Sequence, residues 1–580
     1  MKSITQILAL NWRLCQHADR LAVLAAACCL CTQAEAATIT VTSAADAGAN
    51  TLRAAIAAAN PLGGDTINFD AGLNGATVIL NTGELVINKD LTITGLGATR
   101  LAIVGSNQRV FRITGTAIVT ISGLRLKGKV TGTPGANGTA GSRNGQLGGS
   151  ALGGAILEEA GCVLHVNDCH FEGCQVIGGA GGNAYIPPSP SSGLPAHGGN
   201  GGEAAGGAIC NNAGDLLLDG CTFGYANSAT GGAGGNGYSG DPDGYGGNGG
   251  MAKGGALATM YGSHDLSVVN CTFAGNGAFG GVGGRGGDAP GGVGAGGDGG
   301  VGGRPQGGAI YVTQGCGGCT GIKHTTVNTN VCRLGGGGVG GAGQPAGDPG
   351  TEGVADGLGL YFNGTGLPND TLPMDNTLIA ANVAAPPPGG TLILFDSADV
   401  RGVIASGGYN LIGNSLGSSG WVSAGVPRDL LGSTALPLDP RLGPFQYNGG
   451  ETPSEAPLAC SPAIDAGSDC VGCLTLDQID QPRPILITAG VSSGKGSDIG
   501  AYELQSYPAA TPVSLTITRM QTGNGVMIAW PASSCFILQQ SATLDPPDWE
   551  NNRNPVTVVG AEKRVFITPA LGNMFYRLHP

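Results

Sequence analysis

Three polar side chains in a repeated part of the chain are the best candidates for catalysis. They are Asp168, His170 and Asp219, and each lies in or beside a recurring Cys-x-Phe motif. A carboxylate and an imidazole that reach one substrate can act as general base and general acid. A pair of carboxylates can cleave a glycosidic bond. These residues carry the hypothesis that the protein is an enzyme acting on a polysaccharide.

Acidic residues nearer the C-terminus could hold a metal ion. Asp465, Asp498 and Glu503 offer carboxylate oxygens, which are the ligands that calcium prefers. The same carboxylates could instead form a buried ion-pair network with Arg483, because Asp and Arg within hydrogen-bonding reach stabilise each other without a metal. We favour the structural network and expect no cofactor, with calcium as the alternative.

The Cys-x-Phe motif returns on successive repeats and predicts a structural ladder. Equivalent residues on stacked strands lie about 4.8 Å apart with parallel Cβ directions, whereas a disulfide needs Cβ atoms about 3.5–4.5 Å apart. We therefore expect buried, reduced thiols that pack like small apolar groups rather than a metal or redox site. The ladder residues are Cys169, Cys221 and Cys271, and the aromatic residues stacked beside them are Phe171, Phe223 and Phe273.

Two CxxC pairs lie in turn-rich sequence, at Cys316–Cys319 and Cys470–Cys473. Two such pairs could together bind zinc. In an exported chain, local disulfides or free thiols are the expectation we prefer.

The elements that position these residues come from a repeat of about fifty residues. The phrase Gly-Gly-Ala-Ile (or Leu) returns with spacings of 53, 48 and 53 residues, at 153–156, 206–209, 254–257 and 307–310. In the first repeat, Leu164-x-Val166 and Cys169-x-Phe171 each alternate with a period of two but out of phase, with turn-forming residues between them. Short strands joined by sharp bends predict coils of a parallel β-helix that stack into one core. A β-propeller is disfavoured, because four strands per blade are not visible.

Glycine-rich tracts separate the repeats. Residues 131–355 contain 72 of the 111 glycines in the chain. The segment Gly283–Asp288 has the form GGxGxD of calcium-binding repeats but is not tandem. Flexible polar loops and packed glycine helices of the polyproline type remain as interpretations. We prefer an ordered second layer over the β-helix, because the tracts are low in charge and would gain little from solvation.

The predicted fold is thus all-β, with a right-handed parallel β-helix, glycine-rich loop insertions and a small C-terminal β-sandwich. Residues 51–59 are the exception and predict a short helix over the first coil, where it would cover exposed strand edges. The predicted segments are a signal peptide, N-terminal coils with the capping helix, glycine-rich coils, C-terminal coils and a β-sandwich, at 1–36, 37–130, 131–355, 356–505 and 511–580.

The chain resembles secreted bacterial β-helix proteins of the pectin-lyase-like type in its N-terminal segments 39–43, 52–56 and 65–69. It also resembles the choice-of-anchor Q module of such proteins, at 408–413, 448–453, 461–467, 480–483 and 498–503. The Gly-Gly-Ala-Ile phrases and Phe273-Ala274-Gly275-Asn276 are similar to the repeats of polymorphic outer-membrane adhesins, although Phe-x-x-Asn occurs once among the three Cys-x-Phe motifs. These resemblances imply a right-handed β-helix and an exported, surface-associated protein. The C-terminal strands that end in Phe575-Tyr576-Arg577-Leu578 resemble sorting or anchoring modules.

The resemblance does not extend to the catalytic pattern of polygalacturonases. That pattern needs an Asn-x-Asp, an Asp-Asp pair, a Gly-His-Gly and an Arg-x-Lys. The Asp-Asp pair and the Gly-His-Gly are absent here, and the Asn-x-Asp at 88–90 and the Arg-x-Lys at 125–127 stand in the wrong order and context. Lyases need basic residues to abstract a proton, and the repeat is poor in them. Its histidines, at 165, 170, 264 and 324, fall at unequal offsets. We expect them to point outward.

The start of the chain predicts export. Lys2, Arg13 and Arg20 precede the apolar stretch 21–30 and Ala34-Glu35-Ala36, as in a secretory signal peptide. Lipid attachment at Cys28 or Cys31 is the alternative. A net charge of −13 disfavours nucleic acid as a partner, and the chain has no apolar stretch long enough to span a membrane after the leader.

We therefore expect a secreted or cell-surface protein of the outer envelope, without catalytic activity, that serves adhesion or binds a glycan or a surface protein. A divergent polysaccharide lyase or glycoside hydrolase is the first alternative, and a structural coat protein is the second. We expect a monomer.

Overall fold

The structure is a computed structural model, and it has the predicted all-β architecture: a right-handed parallel β-helix with glycine-rich insertions, followed by a small β-sandwich. It describes residues 36–579 apart from short gaps. The gaps are 62, 187–194, 239–243, 262–264, 290–292, 314–319, 366–369, 391–397, 425–427, 469–473, 488–495, 507–512, 521–524, 532–535, 545–548, 553 and 569–572. The predicted leader up to residue 35, both CxxC pairs and His264 lie outside the described residues.

Each coil of the β-helix contributes one strand to each of three parallel sheets. The first face contains Thr38–Val41, Asp65–Phe69, Leu91–Thr94, Ile118–Ser122, Val163–Asn167, Asp215–Asp219, Leu266–Val269, Gly321–Lys323 and Leu372–Asp375. The second contains Ala76–Leu80, Leu101–Gly105, Arg125–Lys127, His170–Glu172, Thr222–Gly224, Thr272–Ala274, Thr326–Asn328, Leu378–Ala380, Leu411–Ile412 and Leu430–Leu431. The third contains Leu85–Ile87, Phe111–Ile113, Ile156–Glu158, Ile209–Asn212, Leu257–Met260, Ile310–Thr313 and Leu360–Asn363. The strand Val400–Gly408 pairs with both the first and the third face, and Ser418–Ser419 pairs with it.

The corner between the first and second faces uses the left-handed backbone conformation that the sequence predicts. Asp168, Gly220 and Asn270 occupy the same corner position with φ of 50°, 62° and 49°. Glycine adopts this conformation freely, and Asp and Asn tolerate it better than other residues. The bend shifts the strands out of phase, so that Leu164 and Phe171 both point into the core.

Inside the second face, the predicted ladder residues stack coil on coil. The rings of Phe171 and Phe223 have centroids 4.6 Å apart, and those of Phe223 and Phe273 are 4.4 Å apart, with nearly parallel planes. The ladder cysteines Cys169, Cys221 and Cys271 are wholly buried free thiols. Burial raises their pKa where a shift is resolved, at Cys169 and Cys271, so they stay protonated and act as small apolar groups.

A second ladder, made of buried asparagines, follows the next corner. Each Asn Nδ2 donates to the Oδ1 of the Asn one coil further on, at 2.8–2.9 Å, and the last donates to Asp399 Oδ1. Burial raises the pKa of this Asp399 carboxyl to about 6. The ladder satisfies polar groups that would be costly to leave unpaired in the core. Its members are Asn227, Asn276, Asn330 and Asn382.

The predicted helix is present as Leu52–Ala58, with Thr51 as its N-cap: the Ala54 N–H donates to Thr51 Oγ1 at 3.3 Å. Leu52, Ala55 and Ile56 are its buried side, and a 3-10 turn follows at Ala71–Leu73. The helix packs against the first strands of the β-helix.

The glycine tracts form five hairpins that project from the corner between the second and third faces. A short strand leads into each hairpin, at Lys129–Thr131, Gln175–Ile177, Ser228–Thr230, Gly277–Phe279 and Val331–Arg333, with Val383–Ala385 paired beyond the last. Short strands lead back from the first four, at Ala151–Leu152, Ala204–Ala205, Ala252–Lys253 and Pro305–Gln306. We call the tracts that lead out the outgoing layer and those that lead back the return layer. The described parts of the hairpins are 132–149, 178–186 with 195–202, 231–238 with 244–250, 280–289 with 293–303, and 335–353.

Within these layers the backbone has a period of three residues, as in a polyproline II helix. In the second hairpin, the N–H groups of Gly178, Gly181 and Ala184 donate to carbonyls of the third hairpin and of the strand that leads into it, at 2.8–2.9 Å. The glycines that follow, Gly179 and Gly182, donate instead to the return layer of the first hairpin. The third residue of each turn points its side chain to solvent. The tracts therefore form an ordered, hydrogen-bonded double layer, which is the arrangement we preferred over flexible loops.

The glycines are required where two tracts touch. A Cβ atom on Gly247 would overlap the carbonyl oxygen of Gly199 in the neighbouring hairpin. The first and the fifth hairpins each have a neighbouring hairpin on one side only. On their free sides, positions that are glycine in the middle hairpins hold larger residues. These residues are Thr133, Ala136 and Gln146 in the first hairpin, and Ala346, Pro349 and Glu352 in the fifth. The sequence thus specifies both where the array packs and where it stops.

The C-terminal β-sandwich has a four-stranded and a three-stranded antiparallel sheet. The first has the order Thr516–Arg519, Val526–Pro531, Glu562–Ile567, Val556–Val559, and the second has the order Glu550–Asn551, Ile537–Ser541, Phe575–His579. The buried residues between them include Ile528, Trp530, Leu538 and Val565.

Candidate binding surface

The segment 440–505 covers the outside of the second face. Three threonines at one position of successive strands hold it there; they are Thr222, Thr272 and Thr326. The Thr222 hydroxyl donates to the Pro453 carbonyl at 2.5 Å, and Gln478 Nε2 donates to Thr222 Oγ1 at 2.7 Å. The Ala501 N–H donates to the Thr326 hydroxyl at 3.1 Å. This face is therefore a buried contact rather than an open cleft.

The structure brings two of the three catalytic candidates together. Asp168 lies at the corner one coil before Asp219, and the Asp168 N–H donates to the Asp219 carbonyl at 3.0 Å. The Asp168 carboxylate reaches solvent but is crowded by protein on its other side. This desolvation, with the charges of Asp480, Asp219 and Glu451 nearby, raises its pKa to about 6. Burial raises the pKa of Asp219 as well.

The third catalytic candidate, His170, lies apart from these acids and has no access to solvent. Its Nδ1 is 3.4 Å from the Tyr447 hydroxyl, and its ring lies beside Tyr225, with centroids 5.7 Å apart. Burial, reinforced by Arg125, lowers the pKa of His170 to about 4. The imidazole is therefore neutral at pH 7 and is covered by segment 440–505.

His170 and His324 point away from the β-helix core, as expected, but they do not reach solvent. Both are buried, because segment 440–505 lies over the surface to which they point. His324 Nδ1 contacts the Arg483 guanidinium, and the Asn376 amide lies 3.2 Å from its Nε2. Burial and the Arg483 charge lower the pKa of His324, so it accepts from Arg483 as a neutral ring.

Arg483 is the centre of a buried polar network. Its Nε donates to Glu503 Oε2 at 3.0 Å and its Nη2 to the Gly500 carbonyl at 2.9 Å. The exposed fractions of the Arg483 and Glu503 side chains are 1 % and 0 %. Burial and the Glu503 charge raise the pKa of Asp498 to about 8.

The metal candidates belong to this network. Asp498 Oδ1 accepts from the Asp465 N–H at 2.8 Å, and Asp498 Oδ2 accepts from the Leu504 N–H at 2.8 Å. Glu503 Oε1 accepts from the Ile485 N–H at 2.8 Å. Backbone donors thus occupy the oxygens that a cation would use. Among the residues that the structure describes, no cluster of three or more His, Cys, Asp or Glu side chains is arranged to hold a metal ion.

A further candidate for calcium, the segment Gly283–Asp288, also lies inside the glycine array. Asp288 Oδ1 accepts from the Ala342 N–H of the next hairpin at 2.7 Å and from Arg285 at 2.5 Å. Both bonds lower the pKa of Asp288. The aspartate of the GGxGxD segment is therefore used to hold the next hairpin in place.

An open groove of about 450 Å³ crosses the return layer. It runs along the stacking direction, across the first four hairpins. One wall is a column beside the β-helix, with Ser150, Glu203, Met251 and Arg304; the other is a column one turn further out, with Leu147, Asn200, Asn248 and Val301. Glycine backbone of the same tracts forms the floor. The walls are about 9 Å apart, which is the length of three residues in a polyproline II helix.

Both charged side chains in the groove wall have partners. Lys253 Nζ lies 2.9 Å from a Glu203 carboxylate oxygen, and Arg304 Nη2 lies 2.7 Å from Asp356 Oδ2. Asn200 and Asn248 are exposed and uncharged. The groove therefore presents amide groups and apolar side chains.

Sequence reasoning missed the groove, because it depends on which residue of each glycine triplet faces solvent. It also missed the asparagine ladder at Asn227, which lies four rather than three residues after Phe223. Tyr225 and Ala226 form this longer corner, both with positive φ. A fifth copy of the Gly-Gly-Ala-Ile turn was missed as well, since it reads Gly357-Leu358-Gly359-Leu360; Gly357 has φ of 58°, as at the other four.

In the part of the chain described, no helix has the length and apolar character needed to cross a bilayer. No family model matches the chain, and no curated protein matches it in sequence.

Proposed function

We propose that this is an exported protein of the cell surface or outer envelope that has no catalytic activity and binds a glycan or a surface protein. The observation that supports this most is the open groove across the return layer. By contrast, the buried polar residues of segment 440–505 are used to hold that segment on the β-helix, as at Gln478 and Arg483.

Export and anchoring are supported by the ends of the chain. The basic and apolar residues before Ala36 have the order of a secretory leader. Segment 408–503 resembles a choice-of-anchor Q module, and the β-sandwich that follows would be a sorting or anchoring module. A net charge of −13 argues against nucleic acid as the ligand.

The acidic corner supports one alternative function. Asp168 and Asp219 lie on adjacent coils, and the pKa of Asp168 is raised to about 6, near the range that suits a general acid. A polysaccharide lyase or glycoside hydrolase would use this pair. His170, the third catalytic candidate, is buried beside Tyr447 and apart from this pair, which is why we rank this alternative second.

One experiment separates these functions. The purified mature chain is applied to a glycan array, and the same polysaccharides are assayed for new reducing ends and for unsaturated uronates. We expect binding to at least one glycan without release of products. Product release that is abolished in an Asp168→Asn/Asp219→Asn variant would overturn the proposal in favour of an enzyme. Absence of both binding and turnover would favour a structural coat protein.

A further inference from the structure

We propose that the groove across the return layer binds an extended, uncharged polysaccharide, with the sugar chain running along the stacking direction of the hairpins. This inference rests on the proposed binding function and specifies its site and ligand class.

The groove carries a row of fixed hydrogen-bond donors. The Asn248 N–H donates to Asn200 Oδ1 at 2.9 Å, and the Val301 N–H donates to Asn248 Oδ1 at 2.9 Å. Each bond fixes the orientation of a carboxamide and leaves its Nδ2 group without a partner among the described residues. The two Nδ2 groups repeat at the spacing of the hairpins, about 4.8 Å. Donors held in place lose little conformational entropy when they bind.

The shape of the groove fits a flat, extended chain. Its floor is glycine backbone, such as Gly201 and Gly249, so a ligand can approach closely. Leu147 and Val301 are 66 % and 42 % exposed and stand at the two ends of the outer wall, where they offer apolar contact. Sugar rings present both hydroxyl acceptors at their edges and apolar C–H groups on their faces, which matches this alternation of amide and aliphatic side chains.

The charges in and around the groove favour an uncharged over an acidic polysaccharide. The Arg304 guanidinium in the groove wall is paired with Asp356, and Glu203 is paired with Lys253. Among the described residues of the groove, a uronate would therefore meet no unpaired cation, and the chain as a whole carries a charge of −13. An uncharged chain avoids this repulsion.

The outgoing layer supplies a matched control. There, the Asn236 N–H donates to Asn183 Oδ1 at 2.9 Å, which repeats the geometry of the return layer. The neighbouring column contains Ala180 and Ala233, whose short side chains form only a low wall. In either layer, Asn→Asp keeps the Oδ1 acceptor that the backbone N–H uses and replaces the Nδ2 donor by an acceptor. The added negative charge is the same in both layers.

The test measures affinity for uncharged hexasaccharides (cellohexaose, xylohexaose, mannohexaose and N-acetylchitohexaose) and for an oligogalacturonate. The proteins are the mature chain, Asn200→Asp/Asn248→Asp and Asn183→Asp/Asn236→Asp. We expect at least one uncharged ligand to bind, and the affinity to fall about tenfold or more in the first variant only, because two donors are lost. Matching melting curves for the two variants would show that both are folded.

Three results would overturn the inference. These are binding of the oligogalacturonate alone, an equal loss of affinity in both variants, and binding that is unaffected by Asn200→Asp/Asn248→Asp. In each case a glycan still binds, so the proposed function stands while the assignment of an uncharged polysaccharide to the groove fails. If no glycan binds on the array or in solution, the proposed function itself fails.

Discussion

Replacing Gly247 by alanine is expected to destabilise the glycine array strongly. The new methyl group would overlap the Gly199 carbonyl oxygen, which belongs to the backbone of the neighbouring hairpin and cannot rotate away. The tracts would have to separate, and the bond from the Gly247 N–H to the Gly235 carbonyl (2.8 Å) would be weakened. Overpacking of this kind costs about 3 kcal/mol, and it should appear as a lower melting temperature in circular dichroism or calorimetry.

The matched control is the same substitution at Gly336, also in a glycine tract. A Cβ atom there would meet only Pro387 Cβ, at 3.5 Å, which is ordinary van der Waals contact. Gly336→Ala should therefore melt within a degree or two of the wild-type protein. If Gly247→Ala melts like Gly336→Ala, the tracts are not packed against one another.

Removing Arg483 is expected to have the second large effect. In an Arg483→Met variant the Glu503 carboxylate would stay buried without its cation, and His324 and the Gly500 carbonyl would lose their donor. Breaking one side of a buried ion pair costs about 3–5 kcal/mol. Limited proteolysis at increasing denaturant concentration, with the cleavage sites in segment 440–505 identified by mass spectrometry, measures this loss.

Two further variants show whether the buried ion pair is the cause of this loss of stability. Arg285→Met breaks an exposed ion pair with Asp288, whose side chains are 50 % and 46 % accessible, and should cost less than about 1 kcal/mol. Arg483→Met/Glu503→Gln removes the uncompensated charge and should be more stable than Arg483→Met. Equal stability of these two would show that the ion pair is not what holds the segment.

The β-helix could be predicted from the sequence because its signals are local. Leu164 and Phe171 show the two strand phases, and the intervening Asp168 is a residue that tolerates a left-handed corner. The stacking of Phe171 on Phe223 then follows from the repeat itself.

The candidate site could be predicted only in part, because it depends on contacts between distant segments. The burial of His170 depends on Tyr447, which lies 277 residues away in sequence. The network around Arg483 was predicted as structural from its residue types alone, but its bond to His324 crosses 159 residues. The groove could not be read from composition, since Asn200 and Gly199 differ in role only through the three-residue period of the packed tracts.

The central claim is that the glycine tracts form a hydrogen-bonded layer that can present a binding surface. Hydrogen–deuterium exchange of the native chain, read by mass spectrometry on peptides from 231–238 and 244–250, tests it most directly. We predict protection similar to that of the core strand Asp215–Asp219, because the glycine N–H groups of both tracts donate to neighbouring tracts. Complete exchange at the rate of an unstructured peptide would contradict the account.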